Sequence, residues 1–529
     1  MPSSDAKFPN YSATSEPQNS WVNVQHIAII GGGTAGWMSA ATLRRRLGCK
    51  VTLIESHDQI GVGVGEATIP ALIDWIQNMG IDEDEFLRRT GATYKLAIRF
   101  DNWITPNHRY WHPFGSCGGT VDGCDLVHLW AQSVRSTPES EVAYTDFSLQ
   151  KQLCDQNGSP RTFDDSARLE NYAFHLDAGK LARFIREIAI EDGVDHRIGS
   201  VIGANQASDG SIESVQIAEQ EPVVADMYID CSGFAAVLIE KSLDVPWIDW
   251  SDQLLCDRAV VTRAPVAGGE IPPYTVSTGM SAGWSWQIPL MEATGVGYVY
   301  SSSHISDDQA RSELLSFNDL DAETNTRQLS MRIGHRTESW KQNCVAIGLS
   351  SGFVEPLEST GIFLVQRALD DLVECMAMDG GDREFNTRTQ VAYEEVRDFV
   401  LLHYVLSRRD DTEFWRDCRS VQLPASLNTS LENYRVRGEV FLPEGIPSVF
   451  AEVNHHFIMA GAGELPGLSP AAAPMLHLPS QREAICNHVA QTNLQLTGIL
   501  APHHEVLRCI HRTNEHLPQP TIGAPLQEA

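Results

Sequence analysis

In the stretch His26-Ile-Ala-Ile-Ile-Gly-Gly-Gly-Thr-Ala-Gly36, a short apolar segment runs into a glycine-rich turn. The apolar segment predicts a buried strand, and Trp37-Met-Ser-Ala-Ala-Thr-Leu43 after the turn predicts a helix. A second strand is predicted over residues 49–54, and it ends at Glu55. The order of strand, G-x-G-x-x-G turn, helix, strand and acidic residue is that of a dinucleotide-binding unit. The alternative is a βα turn without a ligand.

Each glycine of this turn has a distinct expected task. Gly31 makes the tight turn, Gly33 lets the backbone approach a pyrophosphate, and Gly36 lets the helix pack closely on the strand. Glu55 lies about 20 residues further on and can accept hydrogen bonds from ribose hydroxyls. The motif alone does not separate FAD from NAD. The expected dinucleotide-binding residues are Gly31, Gly32, Gly33, Thr34, Ala35, Gly36 and Glu55.

A second turn, Phe353-Val-Glu-Pro-Leu-Glu-Ser-Thr-Gly-Ile362, lies between an apolar run at residues 344–349 and an amphipathic run at residues 363–369. The pattern predicts a strand-to-helix turn. Backbone N–H groups at the start of a helix favour anions, and here two carboxylates, Glu355 and Glu358, lie beside them. The alternative interpretation is an ordinary helix cap, with Ser359 or Thr360 as the N-cap.

Two further segments predict strands that carry unusual side chains. Alternation in Gly283-Trp-Ser-Trp-Gln-Ile-Pro289 places both tryptophans on one face, where they could simply be large core residues. Residues 92–100 also alternate, and they include Lys95. From the residues alone, the favoured interpretation of Lys95 is a lysine on an edge strand that points to solvent. A buried lysine would instead have a lowered pKa and could act as a nucleophile or hydrogen-bond donor.

The composition excludes several classes of function. The chain has 529 residues, 42% of them hydrophobic, so it can bury a large core. Its formal net charge of -30 argues against binding nucleic acid or anionic membranes. The eleven cysteines show no C-x-x-C pair and no zinc spacing, which predicts a reducing, cytoplasmic compartment and no metal site. Residues 1–23 lack the apolar centre of a signal peptide, and no apolar stretch reaches the about 20 residues of a membrane span.

Taken together, the motifs resemble those of flavin-dependent halogenases, in particular the tryptophan-halogenase branch. Phe353, Pro356, Ser359 and Gly361 match the pattern F-x-x-P-x-x-S-x-G of that family. Residues 284–289 match its W-x-W-x-I-P motif, which ordinary flavin hydroxylases lack. The resemblance also covers residues 63–70, which look like the strap that crosses the flavin, and the Tyr-Lys-x-x-Ile-x-Phe context of the lysine. It runs from about residue 25 to at least residue 467.

The resemblance implies roles for individual residues. Lys95 and Glu358 would be catalytic, and His112 and Phe114 would form the substrate wall. The remaining implied residues are Ala67, Val201, Leu349 and Ile362 at the FAD, Thr360 and Gly361 at the halide, and Trp284, Trp286 and Pro289 along a tunnel.

The implied reaction needs two cosubstrates and a partner protein. A separate flavin reductase would supply reduced FAD, which with O2 and chloride or bromide would yield hypohalous acid. This oxidant would travel to Lys95, which would either hold it by a hydrogen bond or form a haloamine. Glu358 would stabilise positive charge on the attacked ring and help to remove its proton. The resemblance also implies a small aromatic substrate and a homodimer.

One segment departs from the family pattern. Residues 450–461 should supply the aromatic side chains that clasp free tryptophan, but His455 and His456 stand there. We therefore expect an indole without the amino-acid handle, or a larger molecule that contains an indole.

The predicted fold is α/β, or α+β like that of flavin monooxygenases, with a mixed sheet in the FAD module and a C-terminal helical module. The expected division is a disordered tail at 1–24, an FAD-binding module at 25–385 and a helical module at 386–529. Helices are also predicted over residues 71–79, 82–90 and 407–419, and residues 60–70 predict a flexible loop. Two alternative functions are left open by the residues. One is an NAD(P)H-dependent aromatic hydroxylase with FAD, against which the W-x-W-x-I-P run argues. The other is a flavin-binding redox module without halogenation, against which the intact Lys95 and Glu358 argue.

Overall fold

The computed structural model of the protein describes residues 21–56, 65–121, 124–137, 142–266, 270–443, 445–468 and 479–512. Of the predicted tail, residues 1–20 lie outside these ranges. Trp21–Asn23 form a short 3-10 helix, and the ring of Trp21 lies 5.8 Å from that of Trp340.

The described strands all lie in the first two thirds of the chain. They are β1 (His26–Ile30), β2 (Lys50–Glu55), β3 (Gly65–Ala67), β4 (Thr93–Lys95), β5 (Ala97–Asp101), β6 (Arg109–Pro113), β7 (Thr120–Val121), β8 (Cys124–Asp125), β9 (Ala173–Asp177), β10 (Asp195–Ile198), β11 (Val201–Gln206), β12 (Ile212–Ile217), β13 (Met227–Asp230), β14 (Trp247–Asp249), β15 (Arg258–Ala264), β16 (Tyr274–Gly279), β17 (Gly283–Pro289), β18 (Thr294–Tyr300), β19 (Arg327–Ser330), β20 (Gly334–Arg336), β21 (Trp340–Lys341), β22 (Cys344–Ala346) and β23 (Gly352–Phe353).

Helices are interspersed among the strands and then follow one another after β23. They are α1 (Thr34–Leu47), α2 (Ala71–Asn78), α3 (Glu83–Thr90), α4 (Leu126–Ser136), α5 (Leu149–Asp155), α6 (Ala178–Glu191), α7 (Asp307–Phe317), α8 (Gly361–Cys375), α9 (Gly381–Val405), α10 (Glu413–Cys418), α11 (Ala425–Arg437), α12 (Glu452–Gly461), α13 (Pro479–Thr497) and α14 (His503–Arg512).

Two large sheets organise the molecule. The first has the order β10-β2-β1-β13-β22-β21 and is parallel except for β21. Helices α1, α6 and α8 pack against one another beside it, and their apolar faces fill the largest core. The second sheet has the order β19-β15-β18-β17-β16-β5-β6. A separate core joins it to helices α9 to α12. The mixture of parallel and antiparallel strands with packed helices confirms the predicted α/β class.

The strand-turn-helix unit at the start of the chain has the predicted boundaries. Strand β1 has four consecutive buried residues and pairs in parallel with both β2 and β13, as expected for a central strand. Helices predicted at residues 71–79 and 82–90 are also confirmed as α2 and α3. Asp82 caps α3 by accepting a hydrogen bond from the N–H of Glu85. Gly80, which follows the end of α2, has a positive φ.

Several local predictions were wrong. Residues 65–67 belong to strand β3, which pairs with β9, rather than to a flexible loop, while residues 60–64 of that loop lie outside the described residues. The strand predicted at residues 92–100 is broken at Leu96, whose N–H bonds to the carbonyl of Pro273 and not to β9. Of the helix predicted at residues 407–419, only α10 forms. Helices α11, α12 and α14 have no counterpart in the predictions.

Helix α14 returns to the start of the fold, where His503 bonds to Tyr94, His511 contacts the carbonyl of Ala92, and apolar side chains of the helix join the largest core. The Nδ1 of His503 donates to the carbonyl of Ile271 (2.8 Å), and its Nε2 accepts from the N–H of Tyr94 (3.2 Å). The imidazole is fully buried, and burial lowers its pKa to about 4. The ring is therefore neutral near pH 7 and fixes strand β4 through a pair of buried hydrogen bonds.

Candidate active site

The glycine turn between β1 and α1 forms a cradle that no larger side chain could occupy. A Cβ at Gly31, where φ is +111°, would lie 2.2 Å from the carbonyl oxygen of Cys231. One at Gly36 would lie 1.8 Å from the carbonyl oxygen of Gly31. Gly33, by contrast, faces open space at the N-cap of α1, where no side chain caps the helix. The turn thus presents free helix N–H groups to any phosphate placed there.

Glu55 lies against this cradle at the end of β2. Its Oε1 is 2.8 Å from Nε2 of His196, and its carboxylate lies directly over the backbone of Gly32. The carboxylate is therefore placed where the ribose next to a bound pyrophosphate would lie. These observations fit a dinucleotide in the manner that the sequence predicts.

The other residues predicted to contact the flavin lie around the same edge. Val201 opens β11 two residues after Gly199, whose N–H bonds to the carbonyl of Glu55. Leu349 is 40% exposed and follows Gly348, which packs on Ala35. Two more, Ala67 in β3 and Ile362 in the first turn of α8, are buried on the side of the lysine described next.

Lys95 is fully buried at the end of β4. Gly91 ends α3 with φ of +64° and turns the chain into this strand. The Nζ of Lys95 donates to the carbonyl oxygen of Thr68 and contacts the hydroxyl of Ser359, both at 2.9 Å. Burial lowers the pKa of Lys95 to about 7, although the charge of Glu358 acts in the opposite direction. The alternative of a solvent-facing edge lysine is therefore wrong, although β4 is an edge strand of its small sheet.

Glu358 is the second buried charge of this site. Its Oε2 accepts from Nδ1 of His112 (2.8 Å), and its Oε1 lies 2.9 Å from Nε2 of His403, although that second contact is poorly aligned for a hydrogen bond. Burial alone would raise the pKa of Glu358, but His112 and His403 outweigh it and lower the pKa to about 2. Glu358 is therefore ionised throughout the neutral pH range.

The partners of these histidines extend the polar contacts on both sides. The side-chain amide of Asn454 on α12 donates to Nε2 of His112 (2.9 Å). This arrangement leaves the proton of His112 on Nδ1, facing Glu358. On the other side, Nδ1 of His403 contacts the hydroxyl of Tyr110 at 2.8 Å. The order along the contacts is Asn454, His112, Glu358, His403 and Tyr110.

The predicted substrate wall lies beside Lys95. Nζ of Lys95 is 5.1 Å from the centre of the Phe114 ring, which gives a cation–π contact when the amine is charged. The rings of His112 and Phe114 lie 6.5 Å apart at 67°, so they form two adjoining faces rather than a parallel stack.

The turn at residues 353–362 has the predicted strand-to-helix form. Pro356–Glu358 form a 3-10 helix, and Ser359 then takes a left-handed conformation with φ of +60°. Thr360 is the N-cap of α8, but its side chain makes no capping hydrogen bond. The N-cap alternative is therefore half correct, since the position is right and the side-chain cap is not formed. At Gly361 an added Cβ would meet no atom of the described residues within 4 Å, so this part of the chain leaves space at the start of α8.

The two tryptophans predicted to line a tunnel lie on β17 as expected. Their rings are 5.8 Å apart, and both are buried. The ring of Trp286 lies across Gly297, where any Cβ would overlap it. Nε1 of Trp284 donates to Oε2 of Glu355 (3.2 Å). The carbonyl of Pro289, at the end of the same strand, accepts from Thr93 two residues before Lys95.

The departing segment at residues 450–461 forms helix α12. His455 packs edge-on against Phe399, and burial and the neighbouring His456 and His112 lower its pKa to about 3. His456 is buried between the rings of Tyr144 and Tyr434. The imidazole of His455 is therefore neutral near pH 7, and the ring of His456 is enclosed by the two tyrosines.

Sequence reasoning missed five residues of this site. They are Thr68, Tyr110, Ser359, His403 and Asn454. A signal was present for two of them, because Ser359 belongs to the quoted motif and His403 interrupts an apolar helical run. Thr68 acts through its carbonyl oxygen, which no residue type encodes.

Two general searches of the structure complete this description. Within the described ranges, no three His, Cys, Asp or Glu side chains converge in a way that could hold a metal ion. None of the helices in the described part of the chain combines the length and the apolarity needed to cross a bilayer.

Comparisons with known proteins agree with one another. The sequence profile of a family described as tryptophan halogenase matches residues 26–476. Tryptophan 6-halogenase SttH of Streptomyces toxytricini is 35% identical over 501 residues, which cover 87% of this chain and 93% of that protein. Tryptophan 7-halogenase RebH of Lentzea aerocolonigenes is 35% identical over 530 residues, with coverage of 92% and 99%. Among solved structures, Xcc4156, a flavin-dependent halogenase from Xanthomonas campestris, gives a TM-score of 0.86 at 35% identity and covers 92% of this chain and 98% of that one.

Proposed function

Because this chain belongs to the tryptophan halogenase family, we propose that it is a flavin-dependent halogenase that halogenates an aromatic carbon of an indole-type substrate. The observation that carries the proposal is the buried pair Lys95 and Glu358. Ser359 connects them, since it follows Glu358 in the turn and its hydroxyl contacts Nζ of Lys95 at 2.9 Å. The pKa of the Lys95 amine lies near neutral pH, and the Glu358 carboxylate beside it stays ionised. Such a pair suits the delivery of an electrophile to an aromatic ring that becomes positively charged.

The cofactor in this proposal is FAD. The N–H groups at the start of α1 would hold its pyrophosphate and Glu55 its ribose, as the open space at Gly33 allows. A separate flavin reductase would supply the FAD in its reduced form. With O2 and chloride or bromide, the bound reduced FAD would provide the hypohalous acid that the reaction consumes.

The start of α8 supports a halide site. The N–H groups of Thr360 and Gly361 belong to a helix end without a side-chain cap, and the space beside Gly361 is open. The positive end of the helix dipole favours a bound anion there. The same turn carries Glu358, so the halide site and the carboxylate are held by one short segment.

Lys95 then receives the halogen within the buried site. A neutral amine that donates its two protons to Thr68 and Ser359 keeps its lone pair free for the halogen. The ammonium form has instead a third proton for the oxygen of hypohalous acid. Because its pKa is about 7, Lys95 populates both forms near neutral pH. In both forms its anchored position sets which ring carbon is nearest.

Glu358 completes the reaction. As the ring carbon forms its bond to the halogen and the halogen–oxygen bond breaks, the ring becomes positively charged, and the departing hydroxide becomes water once it receives the ring proton. The ionised carboxylate stabilises that charge and takes the ring proton at one of its oxygens. With a pKa of about 2, Glu358 holds a proton only briefly, so its stabilising charge is the larger contribution.

Helix α12 supports a substrate without a free amino-acid handle. A zwitterionic tryptophan needs charged or strongly polar partners for its carboxylate and ammonium groups. At the two positions concerned, His455 is held neutral by burial and His456 is turned into the protein between two tyrosines. An indole alone, or an indole carried on a larger molecule, meets these surfaces without leaving charges unpaired.

The test is a halogenation assay by mass spectrometry. The purified chain receives FAD, a flavin reductase, NADH, O2 and bromide or chloride, with substrates that range from indole to free tryptophan and indole-containing peptides. We expect a halogen isotope pattern on indole or the peptides, little on tryptophan, and loss of product in Lys95→Met. Lys341→Met, at a surface lysine paired with Glu338, is the matched control and should retain product. Hydroxylated product without halogen would contradict the proposal, and efficient bromination of free tryptophan would contradict its substrate class.

A further inference from the structure

Glu355 and Glu358 lie three residues apart in one turn and are both buried, yet their surroundings are opposite. Glu358 has two imidazoles as partners. The groups that act on the charge of Glu355 are Trp284, Tyr404 and Cys256, and none of them is a cation. Of these two carboxylates, only Glu358 has a role in the proposed reaction.

The hydrogen bonds of Glu355 are those of a neutral acid. Nε1 of Trp284 (3.2 Å) and the hydroxyl of Tyr404 (3.0 Å) both donate to Oε2. Among the described residues, Oε1 has no well-aligned hydrogen bond, and the remaining neighbour of the carboxyl is the weak donor Cys256. The side chain is 0% exposed. A buried carboxylate that lacks a cation and lacks a strong donor for one oxygen is costly, so the proton is expected on Oε1.

The titratable groups that face Glu355 agree with this assignment. They come from three different elements, as Tyr404 on α9, Cys418 on α10 and Cys256 before β15. Burial raises the pKa of each well above its ordinary value, so all three are neutral near pH 7. Burial likewise raises the pKa of Glu355 to about 7, which leaves it partly protonated there and ionised at higher pH.

The protonation state of Glu355 has a chemical consequence for Trp284. Halogenation of an indole places positive charge on the ring, and part of it resides on the nitrogen. An ionised carboxylate that accepts the N–H stabilises this charge, whereas a neutral acid does so much less. Trp284 is itself an indole that lines the expected route of the oxidant, so it competes with the substrate for the halogen.

We propose that Glu355, as a neutral carboxylic acid, keeps the indole of Trp284 from being halogenated by the oxidant that the enzyme itself makes. The inference rests on the proposed function. In the suppressed side reaction, hypohalous acid would give its halogen to a ring carbon of Trp284, the halogen–oxygen bond would break, and the ring proton would leave with hydroxide as water. Glu355 touches neither substrate nor oxidant and acts through Trp284, so it is a positioning residue.

The test measures bromination of Trp284 by peptide mass spectrometry on the full chain, near pH 6 and near pH 8.5. Bromination of Trp286 on the same strand, whose Nε1 has no hydrogen-bond partner, corrects for the amount and reactivity of the oxidant at each pH. The ionised fraction of Glu355 rises about tenfold between these conditions. We therefore expect the ratio of bromine on Trp284 to bromine on Trp286 to rise about tenfold. An equal ratio at both pH values, including no label on Trp284 at either, would overturn the proposal.

The variant Glu355→Gln supplies the second measurement. Its amide oxygen can still accept from Trp284 and Tyr404, but it cannot ionise. We expect the bromination ratio of the variant to be low and equal at both pH values. A ratio near pH 8.5 as high as that of the unmodified chain would overturn the proposal.

Two sources of oxidant separate this proposal from the proposed function. In one arm the chain turns over with reduced FAD, O2 and bromide, and in the other it receives substoichiometric hypobromous acid without flavin. If turnover yields no bromine on indole or on protein while the reagent arm shows the pH-dependent ratio, the proposed function fails and the role of Glu355 stands. If turnover gives brominated indole but the ratio is independent of pH in both arms, the proposed function stands and the role of Glu355 fails.

Discussion

Lys95 and Glu358 are both buried, but desolvation determines the direction of the pKa shift in Lys95 alone. Both side chains are at most 1% exposed. Lys95 has only neutral oxygen partners, so desolvation prevails and its pKa falls to about 7. Glu358 has two imidazole partners, which prevail over desolvation and lower its pKa to about 2. One group is thereby reactive near neutral pH and the other is permanently charged.

The lowered pKa of Lys95 predicts a pH-dependent stability. Between pH 7 and its ordinary pKa of 10.5, the unfolded chain binds a proton on Lys95 that the folded chain does not, so stability rises with pH. From pH 7 to pH 9 this contribution grows by about 2 kcal/mol. Lys95→Met lacks it. Urea denaturation at the two pH values should therefore show the variant gaining about 2 kcal/mol less than the unmodified chain. Equal gains would contradict a buried lysine with a lowered pKa.

Replacing Glu358 by glutamine should remove the charge while preserving the shape of the site. We expect the rate of halogenation to fall about 100-fold or more, because both charge stabilisation and proton removal are lost. FAD binding, followed by flavin fluorescence, should be unchanged. Glu338→Gln, at an exposed glutamate paired with Lys341, is the control. A Glu358→Gln variant that keeps more than about a tenth of the rate would refute the catalytic role.

Among the elements, the turn that leads into α8 combines functions that are usually separate. It places Glu355 beside Trp284 and Glu358 beside His112, and it leaves the first N–H groups of the helix without a side-chain cap. The left-handed Ser359 makes the change of direction, and its hydroxyl reaches Lys95. A shift of this one turn would therefore move the halide site and both carboxylates together.

The open space at Gly361 gives a prediction for the halide site. An alanine at this position adds a methyl group that meets no protein atom within 4 Å, so stability should hold or rise slightly. The methyl group would occupy the space beside the helix N–H groups. We expect Gly361→Ala to raise the bromide concentration needed for half-maximal rate by about tenfold or more, corresponding to about 1.4 kcal/mol of lost binding.

The matched control for this change is Gly179→Ala. Gly179 lies in the first turn of α6, away from the site, and an added Cβ meets only a side-chain oxygen of Asp177 at 3.3 Å. Its bromide dependence should equal that of the unmodified chain. Unchanged bromide dependence in Gly361→Ala as well would place the halide elsewhere.

The limits of sequence prediction also follow the scale of the elements. Patterns that act within about ten residues were predicted well, as for β1 and the glycine turn, because the strand period and glycine geometry are local. The contacts around Glu358 were not predicted, because His112 and Asn454 are 342 positions apart in sequence and meet only through the packing of α12. The short strand β3 was missed for a similar reason, since its partner β9 lies far along the chain.

For the whole molecule, the contact between α14 and strand β4 matters most. His503 satisfies the N–H of Tyr94 and the carbonyl of Ile271, two buried backbone groups from distant segments. Lys95 is the next residue after Tyr94. The position of the reactive amine thus depends on a helix more than 400 positions away in sequence.

His503→Leu should therefore lower both stability and activity. The change leaves two buried backbone groups without partners, which costs about 2 kcal/mol or more. We expect a lower midpoint of urea denaturation and a reduced rate of halogenation. The neighbouring His504, which is only partly buried, supplies the control, and His504→Leu should alter stability by about 0.5 kcal/mol at most. Equal effects of the two changes would refute the importance of the contact.

The tie between His503 and Tyr94 has a meaning for the order in which the protein is made. A ribosome releases β4 early, but the partner of the Tyr94 N–H emerges only after residue 503 and its helix have left the exit tunnel. Until then the backbone next to Lys95 lacks the contact that fixes it. The Lys95 amine is thus fixed in place late, after the glycine turn of residues 31–36 and strand β17 with Trp284 and Trp286 have already emerged.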